Sequence, residues 1–246
     1  MSPYTNDVFL LLFLFFHSSQ LCLSTKSTPP CHERERQALL KFRSSFFNTS
    51  DGPLGSWEGL NCCHWKGVGC DFISGHVIKL DLGRPCSFAF CNYALVAKAV
   101  DPSLLELEHL NYLDLSGNYF HSSHIPEFLG SMKQLRYLNL SYSFISGMIP
   151  HHVGNLSNLQ VLDLSHQGAD LSHQWADLYA DDMAWVSKLS SLRHIAMTKV
   201  SLKKAHNLFQ DLFLKGLNSL PLVHLLILAI HIFAEIFFKK HVLRLG

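Results

Sequence analysis

The sequence predicts an α/β repeat fold, a short solenoid closed at its amino-terminal end by a disulfide-bonded cap. One leucine pattern occurs three times between residues 110 and 164. The copies are evenly spaced, because the step from Leu113 to Leu138 is nearly the same as the step from Leu138 to Leu162. A cysteine-rich segment precedes them, as a cap would. With 48% hydrophobic residues among 246, the chain can bury one sizeable core as a continuous stripe.

Each copy is expected to contain a short strand. Alternate side chains of a strand point to opposite faces, so we expect Leu113 and Leu115 to point into the core and Asp114 to point outward. The alternative is a helical bundle whose leucines align by coincidence. Three aligned copies make that alternative improbable.

A turn follows each strand. Asn118 would satisfy the backbone groups of the first turn, and Ser143 and Gln167 at the equivalent positions make this ladder imperfect. The pattern L-x-x-L-x-L-x-x-N-x-L resembles the leucine-rich repeat. The Ile-Pro pairs at 125–126 and 149–150 resemble the Gly-x-Ile-Pro variant that is typical of plant extracellular repeats.

The chain begins with a segment of secretory character. Residues 8–16 form a short apolar run, and small and polar residues follow it. We therefore expect residues 1–24 to be a signal peptide, although Asp7 precedes the run and no Lys or Arg does. The alternative is a buried core segment.

Seven cysteines occur, and cleavage of the signal with Cys22 leaves six, an even number that fits an oxidising compartment. Residues 31–72 resemble the amino-terminal cap of plant leucine-rich-repeat receptors. This resemblance implies that Trp57 and Trp65 pack over the first turn of the solenoid. It also implies two disulfides, which are Cys31–Cys62 and Cys63–Cys70. A zinc site is the disfavoured alternative because only His64 lies nearby, and the pairing of Cys86 and Cys91 stays open.

The cap is expected to contain an amphipathic helix over residues 33–46. Its apolar side would consist of Ala38, Leu39, Phe42 and Phe46. Residues 75–82 predict the first strand of the solenoid, with apolar residues Val77, Leu80 and Leu82 inward. Residues 94–107 are expected to form a helical segment that leads to the next strand.

The repeats are expected to occupy residues 75–220, with an irregular insertion at 168–188. The spacing changes there, because the step from Leu162 to Ile195 is longer than the two steps before it. Ile195 belongs to the next strand, which also contains Leu192 and Met197. The insertion resembles plant receptor-like proteins related to fungal-xylanase-sensing and other defence receptors. That likeness covers about residues 31–220, and members of this family continue for many more repeats.

The carboxyl-terminal segment has two interpretations. Residues 221–238 are either a transmembrane helix or a non-homologous tail. The run is at the short end for a span and contains His224, His231 and Glu235, which oppose insertion. The basic tail 239–246 favours a span with a cytoplasmic carboxyl end.

Charge and histidine content limit the classes of partner. Twenty Lys and Arg against nineteen Asp and Glu leave a formal charge of +1 without a clustered basic patch, so nucleic acid is not expected. Among the sixteen histidines, His121, His124, His151 and His152 lie in loops without carboxylate or cysteine partners at ligand spacing. We therefore expect neither a metal nor a cofactor. If the partner's surface is acidic, binding should strengthen as pH falls through about 6.5.

No catalytic motif occurs, so we expect a protein that is not an enzyme. Residues that recur once per repeat instead describe a surface, here the outward face of the strands. This candidate ligand face consists of Lys79, Asp81, Tyr112, Asp114, Ser116, Tyr137, Asn139, Ser141, Val161, Asp163 and Ser165. His194, Ala196 and Thr198 would extend it into the next coil. The alternative is a solvated strand face without a dedicated ligand.

Three sequons predict N-linked glycosylation, at Asn48, Asn139 and Asn155. Asn139 lies on the candidate ligand face. A glycan there would cover one column of that face and confine ligands to the flanking coils.

The resemblance implies an extracellular receptor-like protein of plant defence. Such a protein would face the cell exterior at the plasma membrane, bind an extracellular protein or peptide, and signal through a kinase-bearing co-receptor. The alternatives are a secreted repeat protein that acts as an inhibitor or decoy of a pathogen enzyme, and an inactive truncated receptor.

Overall fold

The computed structural model describes residues 29–47, 52–84, 95–121, 123–166 and 178–202. Several expectations fall outside these ranges: the signal peptide 1–24, Asn48, Cys86, Cys91, Gln167 and all of 203–246. Within the described ranges, no helix combines the length and the hydropathy that a membrane span requires.

The described chain contains one α-helix, short 3₁₀ helices and short strands. Helix α1 spans Glu33–Ser44. The strands are β1 (Val68–Cys70), β2 (Val77–Asp81), β3 (Tyr112–Asp114), β4 (Tyr137–Asn139), β5 (Gly147–Met148), β6 (Val161–Asp163), β7 (Leu178–Tyr179) and β8 (His194–Ala196). The 3₁₀ helices are Pro53–Ser56, Cys62–His64, Pro102–Glu106, Glu127–Ser131, His151–Asn155 and Ala184–Lys188.

One sheet runs through the solenoid in the order β1, β2, β3, β4, β6, β8. β1 is antiparallel to β2, and all later neighbours are parallel. Equivalent leucines face one another in register, since Leu113 pairs with Leu138 and Leu138 with Leu162. These side chains are buried in a single hydrophobic core. The predicted repeat solenoid is therefore confirmed.

The longer step between the last two strands leaves the register unchanged. Leu162 pairs with Ile195, although the chain between them is longer than in the preceding coils. Part of the intervening chain forms β7, which pairs with β5 in a second, two-stranded sheet. Strand β8 therefore joins the main sheet at the position that the leucine pattern predicts.

The cap closes the first coil with two disulfides, Cys31–Cys62 and Cys63–Cys70, as expected. Helix α1 buries Ala38, Leu39 and Phe42 on one side. The rings of Trp57 and Trp65 stack with their centroids 5.4 Å apart. Apolar core at the end of the solenoid is thereby covered.

One local expectation was wrong, and the predicted cap helix was confirmed except at its carboxyl end. Within the described part of 94–107, which is 95–107, only Pro102–Glu106 is helical, because Val96 and Ala97 are held in β-bridges with Tyr119 and Phe46. Helix α1 ends at Ser44, and Phe46 is buried through its bridge to Ala97 rather than as part of the helix. In both places, pairing with a neighbouring segment replaced helical hydrogen bonds.

Candidate functional site

The candidate ligand face is a ribbon made by the outward side chains of the parallel strands. Because the strands are in register, equivalent side chains form columns. The first column contains Lys79, Tyr112, Tyr137, Val161 and His194. The second contains Asp81, Asp114, Asn139, Asp163 and Ala196.

The first column begins with a cation and two stacked aromatic rings. The Lys79 ammonium lies 4.7 Å from the centre of the Tyr112 ring. The rings of Tyr112 and Tyr137 lie 4.2 Å apart and are nearly parallel. The pKa of Tyr112 is raised mainly by desolvation and, to a smaller extent, by electrostatic repulsion from Tyr137. Desolvation also raises the pKa of Tyr137. Both phenols therefore stay neutral and keep their hydroxyl protons at physiological pH.

We expected Asp114 to point outward into solvent, and the structure differs from that expectation. It lies on the ribbon, but only 8% of its surface is exposed. Its Oδ1 accepts hydrogen bonds from the Ser116 amide and hydroxyl. Its Oδ2 accepts from the Tyr137 hydroxyl at 3.4 Å and from the Asn139 amide at 3.2 Å. Neighbouring coils cover this carboxylate, so it organises the surface and offers little of itself to a ligand.

The serines of the predicted face differ in exposure. Ser141 and Ser165 are buried, whereas Ser116 is partly exposed. The Ser141 amide donates to Asn139 Oδ1, and the Ser165 amide donates to Asp163 Oδ1. The same strand-to-turn hydrogen bond thus recurs in successive coils. The accessible part of the face consists mainly of Lys79, Asp81, Tyr112, Ser116, Tyr137, Asn139, Val161 and Asp163.

The structure also contains a second aromatic group that the sequence pattern did not predict. Tyr119 contacts Phe144 at 4.9 Å and His121 at 4.7 Å between ring centroids, and His121 contacts the exposed Phe47 at 5.9 Å. Tyr119 and Phe144 each follow the ladder position of their coil, so they are one repeat apart in the sequence. The repeat period was therefore a signal that would have found this pair.

The expectation about loop histidines was wrong for two of them. His151 Nε2 lies 3.1 Å from Asp181 and 3.7 Å from Asp182. His152 Nδ1 lies 3.8 Å from Glu127. These carboxylates come from neighbouring coils, so sequence spacing did not indicate them. Hydrogen bonding by His151 lowers the pKa of Asp181.

Two groups of histidine and carboxylate side chains bring their ligand atoms within 4.8 Å of one another. One contains His151, Asp181 and Asp182 and is substantially exposed, and the other contains Glu35, His76 and His109. The cysteines of the cap are engaged in disulfides and are not available to a metal.

The predicted glycosylation sites differ in their surroundings. Asn155 and Ser157 of its sequon are both exposed. The Asn139 amide nitrogen instead donates to Asp114 and to the Tyr137 hydroxyl. A glycan on Asn139 would have to be accommodated within this network.

Comparison with known families matches two parts of the chain. Residues 32–71 match the family described as "Leucine rich repeat N-terminal domain". Residues 108–167 match the family described as "Leucine rich repeat". The two matches coincide with the cap and with the strands β3, β4 and β6.

Curated relatives come from plants. Receptor-like protein EIX1 of Solanum lycopersicum is 39% identical over 213 residues, which cover 83% of this chain and 19% of that protein. Receptor-like protein EIX2 of the same species is 50% identical over 123 residues, which cover 49% of this chain and 12% of that protein. The chain thus spans about a fifth or less of the length of these relatives.

Solved structures share the fold. The BIR2 ectodomain from Arabidopsis thaliana gives a TM-score of 0.52 at 22% identity and covers 71% of this chain and 84% of that one. A plant ice-binding protein gives 0.54 at 24% identity, with 71% and 50% coverage. With its capped solenoid and its matches in both cap and repeats, the chain is a leucine-rich-repeat protein, and the relatives to which it is similar are plant receptor-like proteins.

Proposed function

We propose that the chain recognises an extracellular protein or peptide through the ribbon of its parallel strands. The observation that carries this proposal is the column formed by Lys79, Tyr112 and Tyr137. Aromatic side chains with a polar tip supply much of the binding energy at protein interfaces, and here the stacking holds them in place before a ligand arrives.

The polar residues beside this column would give the contact direction. Lys79 and Asp81 form a half-exposed ion pair of 3.0 Å at one end, and Asp163 lies partly exposed towards the other. A peptide laid across the strands would meet aromatic rings flanked by charges of both signs. This mixture favours protein or peptide ligands over nucleic acid, which requires a positive surface.

The setting of this recognition is proposed from relatives and from the cap. One relative is named as a receptor, Phytosulfokine receptor 1 of Arabidopsis thaliana. It is 35% identical over 155 residues, which are 63% of this chain and 12% of that protein. Resemblance to the EIX relatives supports a role in plant defence. Two disulfides fit the secretory pathway, and we place the protein at the cell exterior, signalling through a kinase-bearing partner.

The ribbon is tested by cross-linking. A photoreactive amino acid replaces Val161, the partly exposed neighbour of Tyr137 in the first column, in the secreted protein. This protein is exposed to extracellular fluid from fungus-challenged plant tissue. We expect one cross-linked protein or peptide, and Tyr112→Ala together with Tyr137→Ala should remove it. Tyr179→Ala is the matched control, because Tyr179 lies partly exposed in the second sheet. Equal cross-linking in the labelled protein without further change, in the variant with both tyrosines replaced, and in Tyr179→Ala would contradict the proposal.

The location is tested by alkaline carbonate extraction of protein with a tag after Gly246, combined with glycosidase treatment. A glycosylated species retained in washed membranes supports the receptor. Release as a soluble glycoprotein would favour the secreted inhibitor or decoy, and an unglycosylated pellet would favour an inactive truncated product.

A further inference from the structure

Three histidines and one glutamate meet where the cap joins the first coils. Glu35 projects from helix α1, His76 precedes strand β2, and His109 precedes strand β3. The ring of His76 stacks between those of His32 and His109, with centroids 3.8 Å apart on each side. Because Glu35, His76 and His109 come from three separate segments of the chain, no sequence motif brings them together.

The carboxylate of Glu35 is the centre of this group. Only 4% of Glu35 is exposed. Its Oε2 accepts a hydrogen bond of 2.9 Å from the Val77 amide, and its Oε1 lies 3.0 Å from His76 Nδ1 and 3.9 Å from His109 Nδ1. Burial of a carboxylate is unfavourable unless positive charge or hydrogen bonds compensate it. Among the described residues, its ion-pair partners are these two histidines, with neither lysine nor arginine.

The 3.0 Å between Glu35 Oε1 and His76 Nδ1 is close to the separation of two ligand atoms on one transition-metal ion, whereas the 3.9 Å to His109 Nδ1 is longer. Ligand atoms bound tetrahedrally to zinc at about 2.0–2.1 Å lie roughly 3.3 Å apart. The Glu35 and two histidine ligand atoms all lie within 4.8 Å of one another. The rings of His76 and His109 are stacked with only 20° between their planes, and an imidazole binds a metal in its own plane. His109 must therefore rotate to share an ion with His76, and its half-exposed side chain leaves room for that rotation.

The surroundings already orient the ligand atoms. The Val77 amide holds one carboxylate oxygen and turns the other towards the histidines. His32, whose Nε2 lies 2.9 Å from the Ser74 carbonyl oxygen, fixes the plane of the His76 ring by stacking. Such outer-shell contacts tune metal affinity in known sites.

We propose that Glu35, His76 and His109 form a binding site for a divalent transition-metal ion of the zinc class. Two imidazoles and one carboxylate suit zinc, cobalt or nickel and do not suit magnesium or calcium, which prefer oxygen ligands alone. A tetrahedral ion held by these three ligands would take a water molecule as its fourth. The bound ion links the cap helix to the first two coils, so it stabilises the end of the solenoid independently of any ligand on the ribbon.

The test is isothermal titration of the full chain with zinc sulfate, using a purification tag without histidine. Cobalt(II) is titrated in parallel, because its visible absorption reports the donor atoms. We expect one equivalent of zinc and a higher melting temperature with the metal. His109→Ala should weaken binding at least about tenfold, since losing even an outer-shell partner has that effect. Glu35→Gln should also abolish the cobalt spectrum.

His151→Ala is the matched control, because it removes the histidine of the other histidine and carboxylate group. It should leave zinc affinity unchanged. His109→Ala alters a half-exposed side chain, so it tests the site even if Glu35→Gln impairs folding. Zinc binding that is absent in the unaltered chain, unchanged in His109→Ala, or lost only in His151→Ala would overturn the proposal.

Discussion

At the scale of single residues, the ribbon depends on polar groups that satisfy one another. Asp114 joins two coils, because its carboxylate accepts from Ser116 in its own coil and from Tyr137 and Asn139 in the next. It therefore positions the Tyr137 hydroxyl and the Asn139 amide. A residue that the repeat pattern marks as surface is in this case a structural part of that surface.

Asp114→Ala should lower the free energy of unfolding by about 1–3 kcal/mol, because it leaves several partly buried donors without their acceptor. Urea denaturation followed by circular dichroism measures this change. The control is Asp81→Ala in the equivalent position of the preceding strand, where an exposed ion pair with Lys79 contributes about 1 kcal/mol or less. Equal losses in the two variants would contradict the role of Asp114.

Asn155 should carry an N-linked glycan, since it and Ser157 are exposed. Asn155→Gln is expected to reduce the mass of the secreted protein by one glycan. Asn139→Gln should leave the mass unchanged, because the Asn139 amide is engaged with Asp114 and Tyr137 in the folded ribbon. Mass spectrometry before and after glycosidase treatment measures the glycan mass of each variant. A glycan on Asn139 would contradict this expectation and would show that the ribbon is partly covered.

At the scale of elements, the turns after the strands form a ladder of unequal rungs. Asn118 is fully buried and connects four backbone groups: its amide donates to the Leu82, Leu115 and Ser116 carbonyls, and its Oδ1 accepts from the Leu95 amide. Ser143, the equivalent residue of the next coil, donates to the Leu140 carbonyl. The serine preserves the bond within its own turn and lacks the reach of the asparagine.

Asn118→Ala should therefore destabilise the protein more than Ser143→Ala. Leaving buried backbone groups unpaired costs about 1–3 kcal/mol each, so we expect a loss of at least about 2 kcal/mol for Asn118 and about 1 kcal/mol for Ser143. Thermal denaturation of both variants measures the difference. A greater loss from the serine variant would contradict this account of the ladder.

The contact between His151 and Asp181 ties a 3₁₀ helix of one coil to the segment after β7. It lowers the pKa of Asp181 in the folded protein. A lowered carboxyl pKa contributes stability that is complete above the ordinary aspartate value of about 3.9 and is lost as pH falls through the folded value. Asp181→Asn should thus reduce the melting temperature at pH 6, and the difference from the unaltered protein should disappear in strong acid.

Melting curves at successive pH values check this dependence. Asp163→Asn serves as the control, because Asp163 accepts a backbone amide and pairs with no histidine in the described part of the chain. A pH-independent difference for Asp181→Asn would remove the proposed linkage.

At the scale of the whole molecule, the cap and the coils share one core. Helix α1 and the tryptophan pair belong to the same buried cluster as the leucines of the strands. The cap is consequently part of the folding unit, and its disulfides should stabilise the solenoid as well as the cap.

The two disulfides should contribute different amounts to the free energy of unfolding. Replacing Cys31 and Cys62 by Ser should cost about 3.5 kcal/mol, and replacing Cys63 and Cys70 about 2.5 kcal/mol, because the first pair closes a loop of 31 residues and the second a loop of 7. Urea unfolding monitored by tryptophan fluorescence compares the two. A larger loss for the shorter loop would contradict the loop-entropy argument.

The sequence by itself determined the repeat, the identity of the core leucines and the class of cap. The repeat and the core leucines follow from local periodicity, because a strand alternates its faces and each coil repeats its neighbour. The class of cap followed instead from its resemblance to the caps of plant leucine-rich-repeat receptors. The residues of the ligand face were placed in columns by the same logic, and their role in binding stays a prediction. The helical expectation for 94–107 failed because bridges to Tyr119 and Phe46 compete with local propensity.

Only the tertiary structure decided which side chains meet across coils. The covering of Asp114, the pairing of His151 with Asp181, and the meeting of Glu35 with His76 and His109 all join residues that are far apart in the sequence. Such contacts depend on how the coils stack on one another. A periodic pattern carries the order of the coils, but the lateral partners of each side chain come from packing.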